Sequence, residues 1–216
     1  MKTNKTYAVF GLGRYGTAVA RELVENGMEV IAVDTEQRIV NDAASYLPVC
    51  KCADVTDAEV ISRLGIGNID TVIVCMASNL EASVMAITLC KEAGVETVIA
   101  KCANEMHQKI LTRIGADQVV FPENDSGMRF AKNLLSSGFI DMISLSRDVS
   151  IVEIEVKEEW LGKNLIELNL RKKYGLNIVA VKKDEKVDVN INPEQVLDAE
   201  TKLIVIANTV KLGKLK

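Results

Sequence analysis

The chain has 216 residues, of which 48% are hydrophobic and 26% charged, and its formal net charge is -4. It is long enough for one or two globular domains with a sizeable core, and its charge excludes a global electrostatic attraction to nucleic acid or anionic lipid. No apolar run approaches the roughly 18 residues that cross a bilayer, and the first residues lack a signal-peptide pattern. We therefore expect a cytosolic protein without direct membrane insertion, whose five cysteines are reduced.

Strand-like and helix-like segments alternate regularly through the first half of the chain. A glycine follows four of the helix-like segments, as at helix C-termini. The predicted strands are "YAVFG", "MEVIAVD", "LPVCKC", "TVIVCMA", "TVIAKC" and "QVVFP". The predicted helices are Tyr15–Asn26, Glu36–Tyr46, Asp57–Leu64, Leu80–Glu92 and Glu105–Ile114. Six near-continuous apolar strands joined by helices favour a doubly wound, Rossmann-like parallel sheet of the α/β class.

The pattern changes after the sixth strand. A helix is predicted from Asn124 to about Ser136, ending at Gly138, and "FIDMISLS" is predicted to be a connector. The alternating strand "SIVEIEV", a short helix closed by Gly175, a hairpin in "LNIVAVKKDEKVDVNINP" and a last strand "TKLIVIAN" follow. These elements predict a second, small α+β domain, with the two domains spanning residues 1–140 and 141–216.

Gly11, Gly13 and Gly16 form a G-x-G-x-x-G motif between the first strand and the first helix. Glycines there permit a tight turn and close backbone approach, and the N-terminus of the helix that follows attracts phosphate. Asp34 ends the second strand, where a carboxylate binds ribose hydroxyls. The combination predicts a nucleotide site.

Arg14 lies among these glycines and adds a charge with bidentate reach toward phosphate oxygens. A terminal phosphate would benefit from such a group more than a pyrophosphate bridge would. The alternative is a solvated arginine at a helix start, where positive charge is slightly unfavourable.

Further ligand contacts are expected at the carboxyl edge of the sheet, where ligands of this fold bind. The candidates are Tyr15 in the glycine loop, and Asp54, Val55, Ala77, Ser78, Asn79, Lys101 and Glu123 after the later strands. Each also has an ordinary interpretation as a turn residue or cap, and Asp57 and Asn124 are candidate helix N-caps.

The sequence favours a switch over an enzyme. A dehydrogenase needs a proton donor or base, but the single histidine, His107, lies in a helix pattern, and neither a Tyr-x-x-x-Lys pair nor a P-loop lysine motif occurs. Cys50 and Cys52 form a C-x-C pair in a strand, which favours small buried hydrophobes over metal ligands. An NAD(P)-linked oxidoreductase is the alternative, and a redox-sensing repressor ranks last because no basic patch appears.

Three stretches together resemble the RCK (KTN) domain, the regulator of potassium conductance: "YAVFGLGRYGTAVARELVENGMEVIAVD", "ADVTDAEVISRLGIGNIDTVIVCMASNLEAS" and "AKCANEMHQKILTRIGADQVVFPENDSG". The tail, "LIELNLRKKYGLNIVAVKK…INP", resembles the RCK C-terminal domain. The pattern is most similar to gating subunits of bacterial Ktr potassium uptake systems, with Trk-type subunits, for which NAD(H) is the expected ligand, as neighbours.

That resemblance implies a cytosolic octamer of four dimers beneath a separate membrane pore subunit, with ATP and ADP selecting the shape of the ring. It places Arg14 on the terminal phosphate, Asp34 on ribose and Asp54 near adenine, with Lys101 at the nucleotide. Paired copies of Glu123 would hold a divalent cation at the dimer interface. Val55, where an alanine is common, and "CMASN" depart from the family pattern.

The resemblance also implies inhibition by cyclic di-AMP at the interface between C-terminal domains. The matching positions are Leu165, Arg171, Asn177, Ile178 and Pro193. Arg171 would pair with phosphate and the apolar residues would hold the bases. Leu165 and Ile178 fit plain core positions equally well.

Overall fold

The structure, a computed structural model, describes residues 5–135, 139–146, 148–184 and 186–208. Contacts between residues divide the chain into two compact units, Met1–Glu123 and Asn124–Lys216. Each unit has its own sheet and its own core. The assignment of residues 124–140 to the first domain stays a prediction.

The first unit contains a six-stranded parallel sheet with the order β3-β2-β1-β4-β5-β6. Its strands are β1 (Thr6–Phe10), β2 (Glu29–Asp34), β3 (Cys50–Cys52), β4 (Thr71–Val74), β5 (Thr97–Lys101) and β6 (Gln118–Val120). Its helices are α1 (Arg14–Glu25), α2 (Gln37–Ala43), α3 (Ala58–Arg63), α4 (Leu80–Glu92) and α5 (Glu105–Arg113), and α6 (Pro122–Leu135) begins at its end. This order confirms the doubly wound fold, and it reverses between β1 and β4, the switch point at which ligands of this fold bind.

Both faces of the parallel sheet are covered, as near-continuous apolar strands predict. All four residues of β4 are buried. Val72 and Val74 pack into the core on one face, whereas Ile73 packs with Val9 and Ala32 on the other. Successive strand side chains point to opposite faces, so an apolar residue at every position means a layer of helices on each side.

Local sequence signals determine the helix ends. The glycines predicted to follow helices have φ between 66° and 108°, a conformation that other residues rarely adopt: Gly27, Gly65, Gly94 and Gly115. Asp57 caps α3, since its Oδ1 accepts the Glu59 N–H at 2.8 Å. Asn124 is not a cap, because α6 already begins at Pro122. Proline suits a first helical position, where its missing N–H leaves no hydrogen bond unmade.

The second unit contains an antiparallel sheet with the order β10-β9-β11-β8-β7. Its elements are β7 (Phe139–Ser144), β8 (Val149–Glu155), α7 (Leu165–Leu168), α8 (Leu170–Tyr174), β9 (Asn177–Lys183), β10 (Lys186–Asp188) and β11 (Lys202–Asn208). Its core contains Trp160, Leu203 and Val205. The small α+β domain is therefore confirmed, while the predicted helix end at Gly138 lies outside the described residues.

Two predictions for this unit were wrong in detail. The predicted connector contains β7, which pairs antiparallel with β8 and sets Met142 opposite Val152. A register shift between Phe139 and Asp141 breaks the alternation by which a strand is recognised. The predicted single helix is two short helices, because the left-handed Asn169 (φ 45°) ends α7 and precedes α8.

Candidate functional site

The glycine loop joins β1 to α1, and each of its three glycines has different surroundings. Gly11 has a φ of +88°, which favours glycine. A Cβ on Gly16 would lie 2.0 Å from the Gly11 carbonyl oxygen, so only glycine allows the loop to close against the helix. Gly13 has nothing within 4 Å of a built Cβ. This glycine therefore leaves open space at the N-terminus of α1.

Asp34 connects the glycine loop to the end of β2. Its Oδ2 accepts the Leu12 N–H at 2.7 Å and its Oδ1 accepts the Glu36 N–H at 2.9 Å. Each carboxylate oxygen has a second lone pair, so the group can still accept hydrogen bonds from ribose hydroxyls. The side chain that was predicted to bind ribose therefore orients the glycine loop.

In the turn after β3, Val55 points into the core, whereas Asp54 and Thr56 line the cavity beside the glycine loop. Asp54 Oδ1 accepts the Thr56 N–H at 2.9 Å and the Thr56 hydroxyl at 2.7 Å, and these hydrogen bonds lower the pKa of Asp54. Val55 is only 3% exposed and belongs to the core. Its predicted ligand contact stays a prediction, whereas Thr56 faces the cavity beside the glycine loop.

A cavity of about 860 Å³ lies at the switch point of the sheet. This volume is within the range of small-molecule sites, roughly 300–1,000 Å³. Six predicted residues line it: Gly11, Gly13, Asp34, Asp54, Ser78 and Asn79. The residues that the sequence analysis missed are Thr35, Ile39, Thr56, Cys75, Met76, Glu81, Ala82 and Met85. Glu81, Ala82 and Met85 lie one turn apart in α4 and share the face of that helix that borders the cavity.

The distribution of charge around the cavity favours one place for phosphate. Among its lining residues, Asp34, Asp54 and Glu81 carry charge and none is a lysine or arginine. The N-terminus of α4 is capped by the Asn79 side chain and has Glu81 in its first turn. The N-terminus of α1 has neither a side-chain cap nor an acidic residue in its first turn. The helix dipole therefore makes this the end of the cavity that is most favourable for an anion.

The thiol of Cys75 also lines the cavity. Burial raises its pKa to about 12, although the charge of Lys101 acts in the opposite direction. The thiol is therefore neutral near pH 7 and is not an activated nucleophile. Ala77, another predicted contact, is 9% exposed. His107 lies in α5, outside the residues that line the cavity.

Lys101, Glu123 and Tyr15 lie together beside the glycine loop, outside the lining of the cavity. Lys101 Nζ is 2.6 Å from Glu123 Oε1 and 5.5 Å from the centroid of the Tyr15 ring. The hydrogen bond from Lys101 lowers the pKa of Glu123. Arg14 is exposed as the first residue of α1, and Gly16 is buried two residues further on. Direct contact of these residues with a nucleotide stays a prediction.

The residues predicted to bind cyclic di-AMP lie in neighbouring parts of the second unit. The Leu165 N–H donates to the Pro193 carbonyl at 3.1 Å, which brings α7 against the loop before β11. Leu165 and Ile178 pack against the core, as their alternative interpretation predicts. Asn177 begins β9 and is exposed, as is Arg171 in α8.

Within the described residues, no group of three or more histidines, cysteines or acidic residues could hold a metal ion. The Cys50 and Cys52 thiols donate to the carbonyls of Leu47 and Thr35 at 3.6 and 3.4 Å. Burial raises the pKa of Cys50, which disfavours the thiolate that a metal needs. In one copy of the chain Glu123 is paired with Lys101, so the predicted interface cation would need the carboxylate of a second copy.

Sequence comparisons agree with the division of the fold. The TrkA-N domain model matches residues 7–122, and the TrkA-C domain model matches residues 149–216. The chain is 39% identical over 210 residues to Ktr system potassium uptake protein C of Bacillus subtilis, covering 97% of this chain and 95% of that protein. It is 36% identical over 205 residues to Ktr system potassium uptake protein A of the same organism, covering 95% and 92%. This chain belongs to the family of Ktr potassium uptake proteins.

Membership of the Ktr family confirms the resemblance that the sequence motifs indicated. The glycine loop, Asp34 and Lys101 all lie within the TrkA-N match. Among solved structures, the GsuK channel bound to NAD matches with a TM-score of 0.64 at 19% identity, over 99% of this chain and 39% of that channel. At this identity the likeness shows the shared fold, and this chain spans only about two fifths of that channel's length. No helix among the described residues is both long and apolar enough to cross a membrane.

Proposed function

We propose that this chain is the cytosolic regulatory subunit of a Ktr-type potassium uptake system. ATP and ADP bind in its first domain and switch a ring of subunits that controls a separate membrane pore subunit. The observation that carries the proposal is the cavity of about 860 Å³ at the uncapped N-terminus of α1, in a chain whose relatives are named Ktr potassium uptake proteins.

The cavity suggests how an adenine nucleotide lies in it. The phosphates lie at the N-terminus of α1, where Gly13 leaves room for them. The ribose hydroxyls donate to Asp34, and the adenine lies toward Asp54 and Thr56. Arg14, next to this phosphate site, responds to the terminal phosphate that distinguishes ATP from ADP.

The switch acts through an assembly of dimers into an octamer. The exposed fractions of Met128, Phe130 and Leu134 in α6 are 50%, 63% and 69%. Large apolar side chains on a helix surface mark a contact with another protein, which supports burial of α6 against a second subunit. In the dimer, paired copies of Glu123 hold a divalent cation beside the terminal phosphates.

The C-terminal domain binds cyclic di-AMP between two copies and lowers uptake. Arg171 and Asn177 are exposed and free to face a second copy, while the backbone hydrogen bond between Leu165 and Pro193 holds the remaining part of the site in place.

Calorimetry of the purified protein with ATP, ADP, NADH and cyclic di-AMP tests these assignments. We expect ATP and ADP to bind at one common site and cyclic di-AMP at a second one. Asp34→Ala should weaken both adenine nucleotides and leave cyclic di-AMP binding unchanged, because Asp34 lies in the first unit. Failure of ATP and ADP to bind or to change potassium flux through a co-reconstituted pore subunit would contradict the proposal.

NAD(H) is the second candidate ligand. An acidic residue at the end of β2 suits the adenosine ribose of NAD as well as that of ATP, and the cavity continues to the N-terminus of α4. Tight NADH binding without any binding of ATP would favour a Trk-type NAD(H) sensor. Turnover of NAD(P)H with a substrate would favour an oxidoreductase instead.

A further inference from the structure

The ion pair between Lys101 and Glu123 joins the end of β5 to the start of α6. Lys101 ends β5, and its side chain is 15% exposed. Glu123 is the second residue of α6, and its side chain is 62% exposed. The two atoms in contact are 2.6 Å apart, so the pair is a charge-assisted hydrogen bond.

Lys101 also lies close to the start of α1. Its ammonium lies 5.5 Å from the ring centroid of Tyr15, the second residue of α1. It is close enough to Cys75, at the end of β4, to act on the pKa of that thiol. One ammonium therefore faces the ends of β1, β4 and β5, where the phosphates of a bound nucleotide converge.

We propose that the Lys101–Glu123 pair is a latch that the terminal phosphate of a nucleotide opens. This inference rests on the proposed function, because it needs a phosphate at the N-terminus of α1. A phosphate there competes with the Glu123 carboxylate for the Lys101 ammonium. The competition releases Glu123, and with it the first turn of α6, from its attachment to β5.

The latch explains why the two residues belong to one switch. While the ion pair is intact, the charges of Lys101 and Glu123 compensate each other. Lys101 is then less available to a phosphate, and Glu123 is less available to a cation. When a triphosphate takes the ammonium, Glu123 becomes an unpaired carboxylate at the beginning of α6. ATP opens the latch more effectively than ADP because its additional phosphate adds charge and reach.

A double-mutant cycle with Glu123→Gln and Lys101→Met tests the latch. Affinities for ATP and ADP are measured by calorimetry in EDTA at fixed ionic strength, so that bound divalent cations do not contribute. Removing the competing carboxylate should tighten ATP binding by about two- to fivefold, the range for an exposed ion pair, and ADP binding by less. Lys101→Met should weaken ATP binding, and adding Glu123→Gln to it should change nothing further.

A matched control comes from the pair between Lys91 and Asp117, also in the first unit, which lies outside the cavity. Lys91→Met removes a lysine ion pair of similar length and should leave both nucleotide affinities unchanged. Circular dichroism and thermal melting of every variant show whether it is folded.

Unchanged or weaker ATP binding by Glu123→Gln would overturn the latch. So would a Glu123→Gln effect that persists on the Lys101→Met background, because it would reflect general repulsion between the carboxylate and phosphate. If one of these two results is found while the wild-type protein still binds ATP and ADP, only the latch is refuted. If the wild-type protein binds neither, the proposed function fails and the latch fails with it.

Discussion

Replacing Gly16 by alanine tests the geometry of the glycine loop, with Gly13→Ala as a matched control. The new methyl group at Gly16 would lie 2.0 Å from the carbonyl oxygen of Gly11 and 3.2 Å from Cys75 Cβ. At Gly13 the same methyl group meets nothing within 4 Å, and the backbone (φ -65°, ψ -175°) is extended and open to alanine. The two substitutions make the same chemical change in very different surroundings.

The loss of stability expected for Gly16→Ala follows from the contact of its methyl group with a backbone carbonyl oxygen. A carbonyl oxygen in a tight turn has no alternative rotamer, so α1 itself must move away from β1. Overpacking of this kind costs about 1–3 kcal/mol, and the backbone contact places Gly16→Ala at about 3 kcal/mol. Such a loss corresponds to roughly a hundredfold change in the equilibrium for opening the first unit.

Amide hydrogen exchange of peptides from β1 and β4 measures that opening, and ATP titration measures the site. For Gly16→Ala we expect roughly a hundredfold faster exchange in these strands and loss of ATP binding. For Gly13→Ala we expect wild-type exchange but weaker ATP binding, because the methyl group occupies the space left for phosphate.

Wild-type exchange and wild-type ATP affinity in Gly16→Ala would refute the steric argument. Equal destabilisation by the two substitutions would also refute it, since the new methyl group meets a backbone oxygen only at Gly16.

Three further predictions concern stability and reactivity. The hydrogen bond from Lys183 lowers the pKa of Asp198 to about 2. The Asp198 carboxylate therefore stabilises the folded state above its unfolded pKa and loses that effect as the pH falls from about 4 to 2. Asp198→Asn should flatten this part of the pH profile of unfolding, followed by tryptophan fluorescence. Gly127→Ala in α6 should raise the free energy of unfolding by about 0.5–1 kcal/mol in denaturant titrations, because its Cβ meets nothing within 4 Å and alanine favours a helix; a lower midpoint would contradict this. Alkylation at pH 8 followed by mass spectrometry should modify the exposed Cys52 well before Cys75, whose pKa is raised to about 12, and equal rates would contradict the burial of Cys75.

Much of the first unit follows from short-range signals in the sequence. Alternating apolar strands and helices, with glycines after the helices, predict a doubly wound sheet because each signal acts within a few residues. The second unit was harder to predict in detail. The register shift in β7 and the left-handed Asn169 depend on pairing and packing with residues distant in the sequence.

The candidate site divides in the same way. Gly11, Gly13 and Asp34 were predictable because their spacing and position after a strand determine their role. Val55 and Thr56 were not distinguishable, since the direction of each side chain depends on how the turn after β3 packs against the core. Glu81 and Met85 enter the cavity only because the start of α4 lies beside the glycine loop.

The sequence by itself therefore determined the fold class, the glycine-rich turn and the family, all of which depend on local patterns. Only the tertiary structure decided that Asp34 orients the glycine loop through Leu12, and that Lys101 pairs with Glu123. These contacts join residues that are 22 positions apart in each case. Such contacts exist only once parallel strands have brought their carboxyl ends to one edge of the sheet, and no local pattern specifies which side chains will then meet.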